Sequence, residues 1–169
     1  LEPRKNHVTL VRAYVKLAGR TTQTFDLVLC GAWGWKTQEL QRELSLLPAQ
    51  LKSHVHVLGF VADEDKPALY QGALIFAYPS FYEGFGLPVL ESMASGTPVL
   101  ASHSSSLPEV VGEAGLLLDP WKVSPWVEAL AWLIDDDKAR THYRELGVRR
   151  SQQFSWTTTA HSYYSFFSS

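Results

Sequence analysis

Short apolar segments alternate with amphipathic stretches along most of this chain, and that order constrains the fold more than any other feature. The segments FDLVLCG, HVHVLG, ALIFAYPS and TPVLAS each have the length and composition of a buried strand. Between them, the spacing of apolar residues predicts helices over roughly Thr37 to Leu47 and Asp65 to Gln71. Buried strands that alternate repeatedly with helices are typical of a doubly wound parallel sheet, so we predict an α/β, Rossmann-like fold.

Helical patterns also occupy both ends of the chain. The stretch NHVTLVRAYVKLAG predicts a helix that Asn6 caps and Gly19 ends. Further helices are predicted at about Ser124 to Ile134, Asp137 to Gln153, and Thr157 to the end, as an addition to the sheet. Since no internal repeat or Gly/Ser-rich linker divides the sequence, we predict one domain over residues 1–169.

Composition excludes several classes of function. Hydrophobic residues make up 46% and charged residues 19% of the 169 residues, which is enough for a packed core and argues against disorder. The formal net charge of −2 argues against a nucleic-acid partner. The single cysteine, Cys30, lies in an apolar run and is expected to be a buried, inert thiol. Because no intrachain disulfide is possible, we expect a cytoplasmic protein.

Four loops are predicted at the edge where a doubly wound sheet binds its ligands. Ligands bind outside the carboxyl ends of the strands in such sheets. The loops predicted there are GAWGW, GFVADEDK, PSFYEGFG and SHSSSLPE. Functional side chains are therefore expected in these loops.

The segment YEGFGLPVLE places two carboxylates, Glu83 and Glu91, on either side of a Gly84-Phe85-Gly86 turn. Glycines between a strand and a helix let backbone N–H groups approach a ligand, and a helix N-terminus favours an anion such as a diphosphate. Two acids would repel a bare phosphate, whereas sugar hydroxyls donate hydrogen bonds to carboxylates. The pattern therefore indicates two polyols joined through phosphates. The alternative is that Glu91 only complements the helix dipole and Glu83 is a solvated loop acid.

The turn EPRKN adds cations to this edge. Arg4 and Lys5 precede the first predicted helix, where a lysine can neutralise a phosphate as a point charge. A solvated basic turn is the alternative. The sequence has no H-E-x-x-H and no G-x-S-x-G motif, so we expect neither a metal site nor serine hydrolase chemistry.

The string YPSFYEGFGLPVLESMASGTPVLAS resembles the signature of the retaining glycosyltransferases of family 4, which have the two-domain GT-B architecture. The strings EPRKN, LVLCG followed by GW, VHVLGFVADED, ALYQGA, SLPEVVGEAGLLLDP and FSW agree with that family in order and spacing. The resemblance covers nearly the whole chain. It is strongest to bacterial members that build cell-surface polysaccharides, many of them mannosyltransferases.

This resemblance implies a role for each residue of the turn. Glu83 matches the glutamate that contacts hydroxyls of the donor hexose and orients it, and Glu91 matches the glutamate that holds the ribose hydroxyls. The residues that match the turn whose backbone meets the sugar and the diphosphate are Gly84, Phe85, Gly86 and Leu87. No residue of this chain is assigned as a catalyst by the resemblance.

The resemblance also implies how the nucleotide is held. Lys5 matches the lysine that clamps the donor phosphates. The loop with Val61, Asp63 and Lys66 matches the one that lies against the nucleobase. The implied reaction transfers a hexose from a GDP-, UDP- or ADP-sugar with retention, without a metal or another cofactor.

The family's N-terminal domain, which carries the acceptor site, has no counterpart in this sequence, so the chain looks like the donor-binding half of an enzyme. The resemblance implies that residues from about 155 to 169 form a helix that crosses to that other domain, although simple packing on this domain is an alternative. Other implied partners are a glycan or lipid-linked acceptor and, for the full enzyme, the inner face of the cytoplasmic membrane. Rival functions are a nucleotide-binding module without catalysis, and a glycosidase that uses Glu83 and Glu91 as an acid/base pair.

Overall fold

The computed structural model describes residues 1–168, with the backbone alone for Ser162 and Ser168. Within these residues, five strands and eight α-helices follow a short 3₁₀ helix at Pro3–Lys5, and a second 3₁₀ helix at Ala49–His54 precedes β2. The elements in chain order are α1 (His7–Ala18), β1 (Leu27–Cys30), α2 (Gln38–Ser45), β2 (Val55–Gly59), α3 (Lys66–Gly72), β3 (Phe76–Tyr78), α4 (Leu87–Ala94), β4 (Val99–Ser102), α5 (Leu107–Val111), β5 (Leu116–Leu118), α6 (Val123–Asp135), α7 (Asp137–Ser151) and α8 (Trp156–Ser168).

All strand pairs are parallel, as the alternating pattern predicts. Strand β1 pairs with β2, and β3, β4 and β5 pair in that order. The hydrogen-bonded ladder therefore has two sections, but one hydrophobic core joins them, because it contains Leu29 of β1 together with Leu100 of β4 and Trp126 of α6. The predicted α/β fold with a parallel sheet and additional C-terminal helices is confirmed.

Helices cover both faces of the sheet. On one face α1 and α6 pack together, with Val11 and Leu133 fully buried between them and the strands. On the other face α4 and α5 bury Met93 and Val110. Strand β4 lies between the two layers and is buried at every residue, which is expected of a central strand covered on both faces.

Asn6 does not cap α1 with its side chain, contrary to the sequence prediction. It has a left-handed backbone (φ 54°), and its Nδ2 donates to the carbonyl oxygens of Pro79 at 3.0 Å and Pro120 at 2.8 Å. These bonds tie the start of α1 to the loops that follow β3 and β5. Local capping patterns cannot show that the side chain at a helix start forms hydrogen bonds to distant loops instead of to the helix.

The prediction that Cys30 is buried is wrong. Cys30 is exposed at the carboxyl end of β1, because alternate side chains of this strand point away from the core. Partial burial still raises the pKa of its thiol. Helix α7 is capped by Asp136, whose carboxylate accepts a hydrogen bond from the Ala139 N–H at 2.9 Å.

Helix α8 presents a row of exposed aromatic rings. These residues are Trp156, Tyr163, Tyr164, Phe166 and Phe167. The last residue of the predicted 155–169 segment, Ser169, lies outside the described residues. Among residues 1–168, no helix has the length and apolar character required to span a membrane.

Candidate functional site

The N-terminal 3₁₀ helix and the loop after β3 form the centre of the candidate site. Both lie at the carboxyl end of the strands, where the fold predicts a ligand. The backbone N–H of Phe81 donates to the Arg4 carbonyl oxygen at 2.8 Å, so the two segments are fixed against each other. This bond brings together residues about 80 positions apart that the sequence placed at the same edge.

Glu83 is buried in this site, with only 7% of its surface exposed. Its carboxylate accepts hydrogen bonds from Lys5 Nζ at 2.8 Å and Ser80 Oγ at 2.6 Å, and Arg4 Nη1 lies 2.9 Å from its second oxygen. Burial acts to raise the pKa of Glu83, but the hydrogen bonds from Lys5, Ser80 and Arg4 outweigh it and hold this pKa below its usual value. Glu83 is therefore ionised at neutral pH, and the alternative of a solvated loop acid is wrong.

Lys5 is held on two sides rather than solvated. Besides Glu83, its ammonium donates to the Tyr78 hydroxyl at 2.5 Å, and its side chain is 23% exposed. Burial and the nearby Glu83 charge raise the pKa of Tyr78, so its phenol stays protonated. The alternative of a solvated basic turn is therefore wrong for Lys5.

The glycine turn after Glu83 has two different glycines. At Gly86 the backbone is left-handed (φ 108°), and a Cβ would lie 2.7 Å from Leu107 Cδ2, so the fold itself requires glycine there. At Gly84 no atom lies within 4 Å of the position of a Cβ, and the turn opens to solvent. A side chain at Gly84 would therefore take space in front of the turn without disturbing the fold.

Two serines of the SHSSS loop hold this turn in place. Ser105 Oγ accepts from the Glu83 N–H at 2.8 Å, and Ser106 Oγ lies within hydrogen-bond distance of the carbonyl oxygens of Glu83 and Phe85. Ser105 itself has a left-handed backbone (φ 49°). The loop after β4 thus supports the backbone on which the turn's amides depend.

Glu91 does not lie in the first turn of α4. The helix begins at Leu87, so Glu91 is in its second turn, and the first turn contains no acidic residue. The charge effect of a helix dipole falls off within one turn, which argues against a purely dipolar role for Glu91. Its carboxylate is exposed and accepts a hydrogen bond from the Tyr70 hydroxyl at 2.9 Å.

Helix α3 brings the predicted nucleobase loop close to Glu91. Lys66, its first residue, lies 2.5 Å from Asp63, and this hydrogen bond raises the pKa of Lys66 while lowering that of Asp63. The Glu91 charge also contributes to the raised pKa of Lys66. Val61 precedes them and is partly buried. Because Tyr70 lies on the same helix, the loop and Glu91 face one region of the surface.

Sequence reasoning missed the residues that support the two glutamates. They are Tyr70, Tyr78, Ser80, Ser105 and Ser106. Most of them lie in YPS and SHSSS, segments that the sequence predicts at the ligand-binding edge of the sheet. The sequence of these segments does not distinguish a hydroxyl that supports the site from one that is solvated. Within residues 1–168, no three His, Cys, Asp or Glu side chains are grouped so as to hold a metal ion.

Comparison with protein families gives a match over most of the chain. Residues 1–150 match the sequence model of the family described as glycosyl transferases group 1. The chain is 42% identical over 156 residues to the O-antigen chain mannosyltransferase B of Escherichia coli, covering 92% of this chain and 40% of that protein. The chain therefore spans less than half the length of this relative.

Solved structures show the same architecture. The crystal structure of HepE from Anabaena in complex with UDP and glucose superposes with a TM-score of 0.86 at 25% identity, covering 100% of this chain and 46% of that one. The C-terminal domain of a glycosyl transferase group 1 family protein (LpcC) from Francisella tularensis superposes with a TM-score of 0.77 at 25% identity. In that case the match covers 90% of this chain and 80% of the other.

Proposed function

Since the chain belongs to the glycosyl transferases group 1 family, we propose that it is the donor-binding domain of an enzyme that transfers a hexose from a nucleotide diphosphate sugar to an acceptor hydroxyl. A second domain would supply the acceptor site. The relative from Escherichia coli is named an O-antigen chain mannosyltransferase, which supports mannose as the transferred hexose and a role in cell-surface polysaccharide synthesis. Such an enzyme would work in the cytoplasm, at the inner face of the membrane where lipid-linked or glycan acceptors are extended.

The observation that carries this proposal is the buried, ionised Glu83 beside an open glycine turn. A carboxylate held ionised by Lys5 and Arg4 accepts hydrogen bonds and cannot donate them. It therefore suits the hydroxyls of a sugar. The turn beside it exposes backbone at Gly84, where nothing in the described chain fills the space in front.

The same cluster can stabilise the leaving group. Breaking the bond between sugar and diphosphate leaves negative charge on the nucleoside diphosphate, and fixed cations and amides lower that cost. In the free protein Lys5 and Arg4 are both paired with Glu83. The two cations exceed the single carboxylate by one positive charge, so the cluster can attract the phosphates while Glu83 accepts hydrogen bonds from sugar hydroxyls. These groups would act without a metal.

The two glutamates have different surroundings, which supports different roles. Glu83 is buried among cations, whereas Glu91 is exposed and bonded to a neutral phenol. In a glycosidase pair, one carboxyl group must be protonated to act as the acid. Because its cationic neighbours hold the pKa of Glu83 low, Glu83 is a poor candidate for that acid. We propose that Glu83 orients the donor hexose and Glu91 holds the ribose.

Calorimetric titration with UDP, GDP, ADP and their sugars tests this function. We expect one nucleotide to bind, with its sugar form binding at least as well. Lys5→Ala should weaken binding of the nucleotide and of its sugar form, because it removes a positive charge that faces the phosphates. Glu91→Ala should weaken binding of every ligand that contains ribose. Glu128→Ala, which removes an exposed carboxylate on α6, serves as control. The proposal fails if no nucleotide binds, or if Lys5→Ala and Glu91→Ala bind as the unmodified chain does.

A further inference from the structure

A cavity of about 320 Å³ lies beside the donor site and is not used by it. It is bounded by the starts of α1 and α2 and by the loops after β3 and β5. Pro3 and Asn6 line the cavity, whereas Arg4 and Lys5 between them contact Glu83. The 3₁₀ helix therefore separates two sites that share one wall.

The cavity has an aromatic platform made by Trp121 and Phe81. Their rings stack at 4.1 Å between centroids with an angle of 26°. Trp121 is nonetheless 77% exposed, so the stack holds an open indole face in a fixed orientation. A large exposed aromatic ring that is held rigidly is a feature of binding surfaces, since a flexible ring would lose more entropy on binding.

The charged lining of the cavity is balanced. The four charged residues are Glu2, Arg12, Lys36 and Glu39, two acids and two bases. Arg12 is paired with Glu39 at 3.1 Å and with Glu43 at 2.6 Å. These two carboxylates neutralise its positive charge, so Arg12 does not attract an anion into the cavity. Lys36 lies over the Trp35 ring at 5.2 Å. This lining suits a neutral ligand with many hydroxyls better than a phosphate.

His7 also lines the cavity. Its Nδ1 is inaccessible to solvent and has no hydrogen-bond partner among residues 1–168. Burial and the nearby positive charges of the N-terminus and Lys5 lower its pKa to about 4, so the ring is neutral at pH 7. A neutral imidazole can both donate to and accept from hydroxyl groups. A buried polar atom without a partner is costly, and because this Nδ1 is closed to solvent, a ligand in the cavity would meet the rest of the His7 residue instead.

We propose that this cavity binds a neutral sugar unit of the acceptor glycan, with the apolar C–H face of the ring on Trp121 and hydroxyls directed to the polar lining. Its volume falls in the range of small-molecule sites, about 300–1,000 Å³. This inference rests on the proposed function, because it assigns part of the acceptor site to the donor-binding domain. The shared wall places the acceptor sugar next to the residues that hold the donor.

Nuclear magnetic resonance titration of the chain with α-linked mannotriose tests the inference, with the indole N–H signals of the six tryptophans as probes. We expect the Trp121 signal to shift in a saturable way. Trp121→Ala should weaken mannotriose binding at least fivefold, and Trp121→Phe should retain part of it because the platform is kept. Trp156→Ala is the matched control, since Trp156 is 81% exposed on α8 and does not line the cavity.

Nucleotide titration of the same variants separates this inference from the proposed function. We expect Trp121→Ala to bind UDP and GDP as the unmodified chain does. If a nucleotide binds but mannotriose shifts no Trp121 signal, the acceptor inference is overturned and the donor site stands. If mannotriose binds through Trp121 but no nucleotide binds, the cavity is a sugar site and the donor proposal fails. Loss of a concentration-dependent dimer in Trp121→Ala, with sugar binding unchanged, would instead identify a protein contact and overturn the inference.

Discussion

Replacement of Glu83 by glutamine tests whether the cluster around it is held by charge. The variant keeps the size and one acceptor oxygen of the side chain but leaves Lys5 and Arg4 without a counter-ion. The Arg4 side chain is 38% exposed, so water screens its charge and the loss of its ion pair with Glu83 costs little. The Lys5 side chain is only 23% exposed, so it loses a charged hydrogen bond in a partly buried site. From the usual values for charged hydrogen bonds and broken buried pairs, the expected loss of stability is about 2–3 kcal/mol.

Urea unfolding followed by circular dichroism measures this change. With a typical slope for a small domain, the loss lowers the unfolding midpoint by about 1 M. Glu128→Gln is the matched control, because the Glu128–Arg20 pair has the same type of contact at 2.6 Å but is more than half exposed on both sides. We expect the control to change stability by less than about 0.5 kcal/mol.

A double-mutant cycle with Lys5→Met then assigns the effect to the pair. Once Lys5 has lost its charge, Glu83→Gln should cost about 1–2 kcal/mol less than in the unmodified chain, which is the range of coupling for residues in direct contact. The reasoning is refuted if Glu83→Gln is as mild as the control, or if the two substitutions are additive. Either result would mean that the ion pair between Glu83 and Lys5 contributes little to stability, although Glu83 is only 7% exposed.

Three further predictions follow from single features of the structure. Gly86→Ala should cost about 2–3 kcal/mol in thermal or urea unfolding, because alanine is strained at φ 108° and its Cβ meets Leu107; an unchanged midpoint would contradict this. In the folded chain the pKa of His7 is lowered from 6.5 to about 4, so the unfolded chain binds more protons than the folded chain between these pH values. The free energy of unfolding should therefore fall by about 3 kcal/mol as pH drops from 6.5 to 4. His7→Phe should reduce this slope, and a slope that persists in the variant would exclude His7 as its source. Tyr70→Phe should weaken nucleotide binding about fivefold by calorimetry, because Glu91 loses the hydroxyl that orients it, and unchanged affinity would show that this bond does not matter.

Much of the fold was predictable from the sequence because its signals are local. The apolar runs and the spacing in α2, α6 and α7 predict each element to within a few residues. The errors arose where tertiary contacts override local preference. Asn6 gives up helix capping to bond two distant loops, and Cys30 lies on the exposed side of β1.

The candidate site was predictable in part, for a related reason. The sequence placed Lys5, Glu83 and Glu91 at one edge of the sheet, but it assigned Lys5 and Glu83 to different parts of a ligand. The structure joins them in a direct contact of 2.8 Å across 78 positions of sequence. No periodicity or motif encodes that distance. The same holds for the hydroxyl of Tyr70, which reaches Glu91 from another helix.

The most direct test of the donor site is the affinity of Gly84→Ala for nucleotide sugars, measured by calorimetry together with its stability. A Cβ at Gly84 meets no atom of the protein, so the variant should be as stable as the unmodified chain to within about 0.5 kcal/mol. If the diphosphate and sugar approach the turn as proposed, the added methyl group should weaken binding at least tenfold. Gly72→Ala is the matched control, because a Cβ there also meets no atom, and Gly72 is the last residue of α3 and not part of the turn. Equal affinity of Gly84→Ala and Gly72→Ala for the nucleotide sugar would contradict the account.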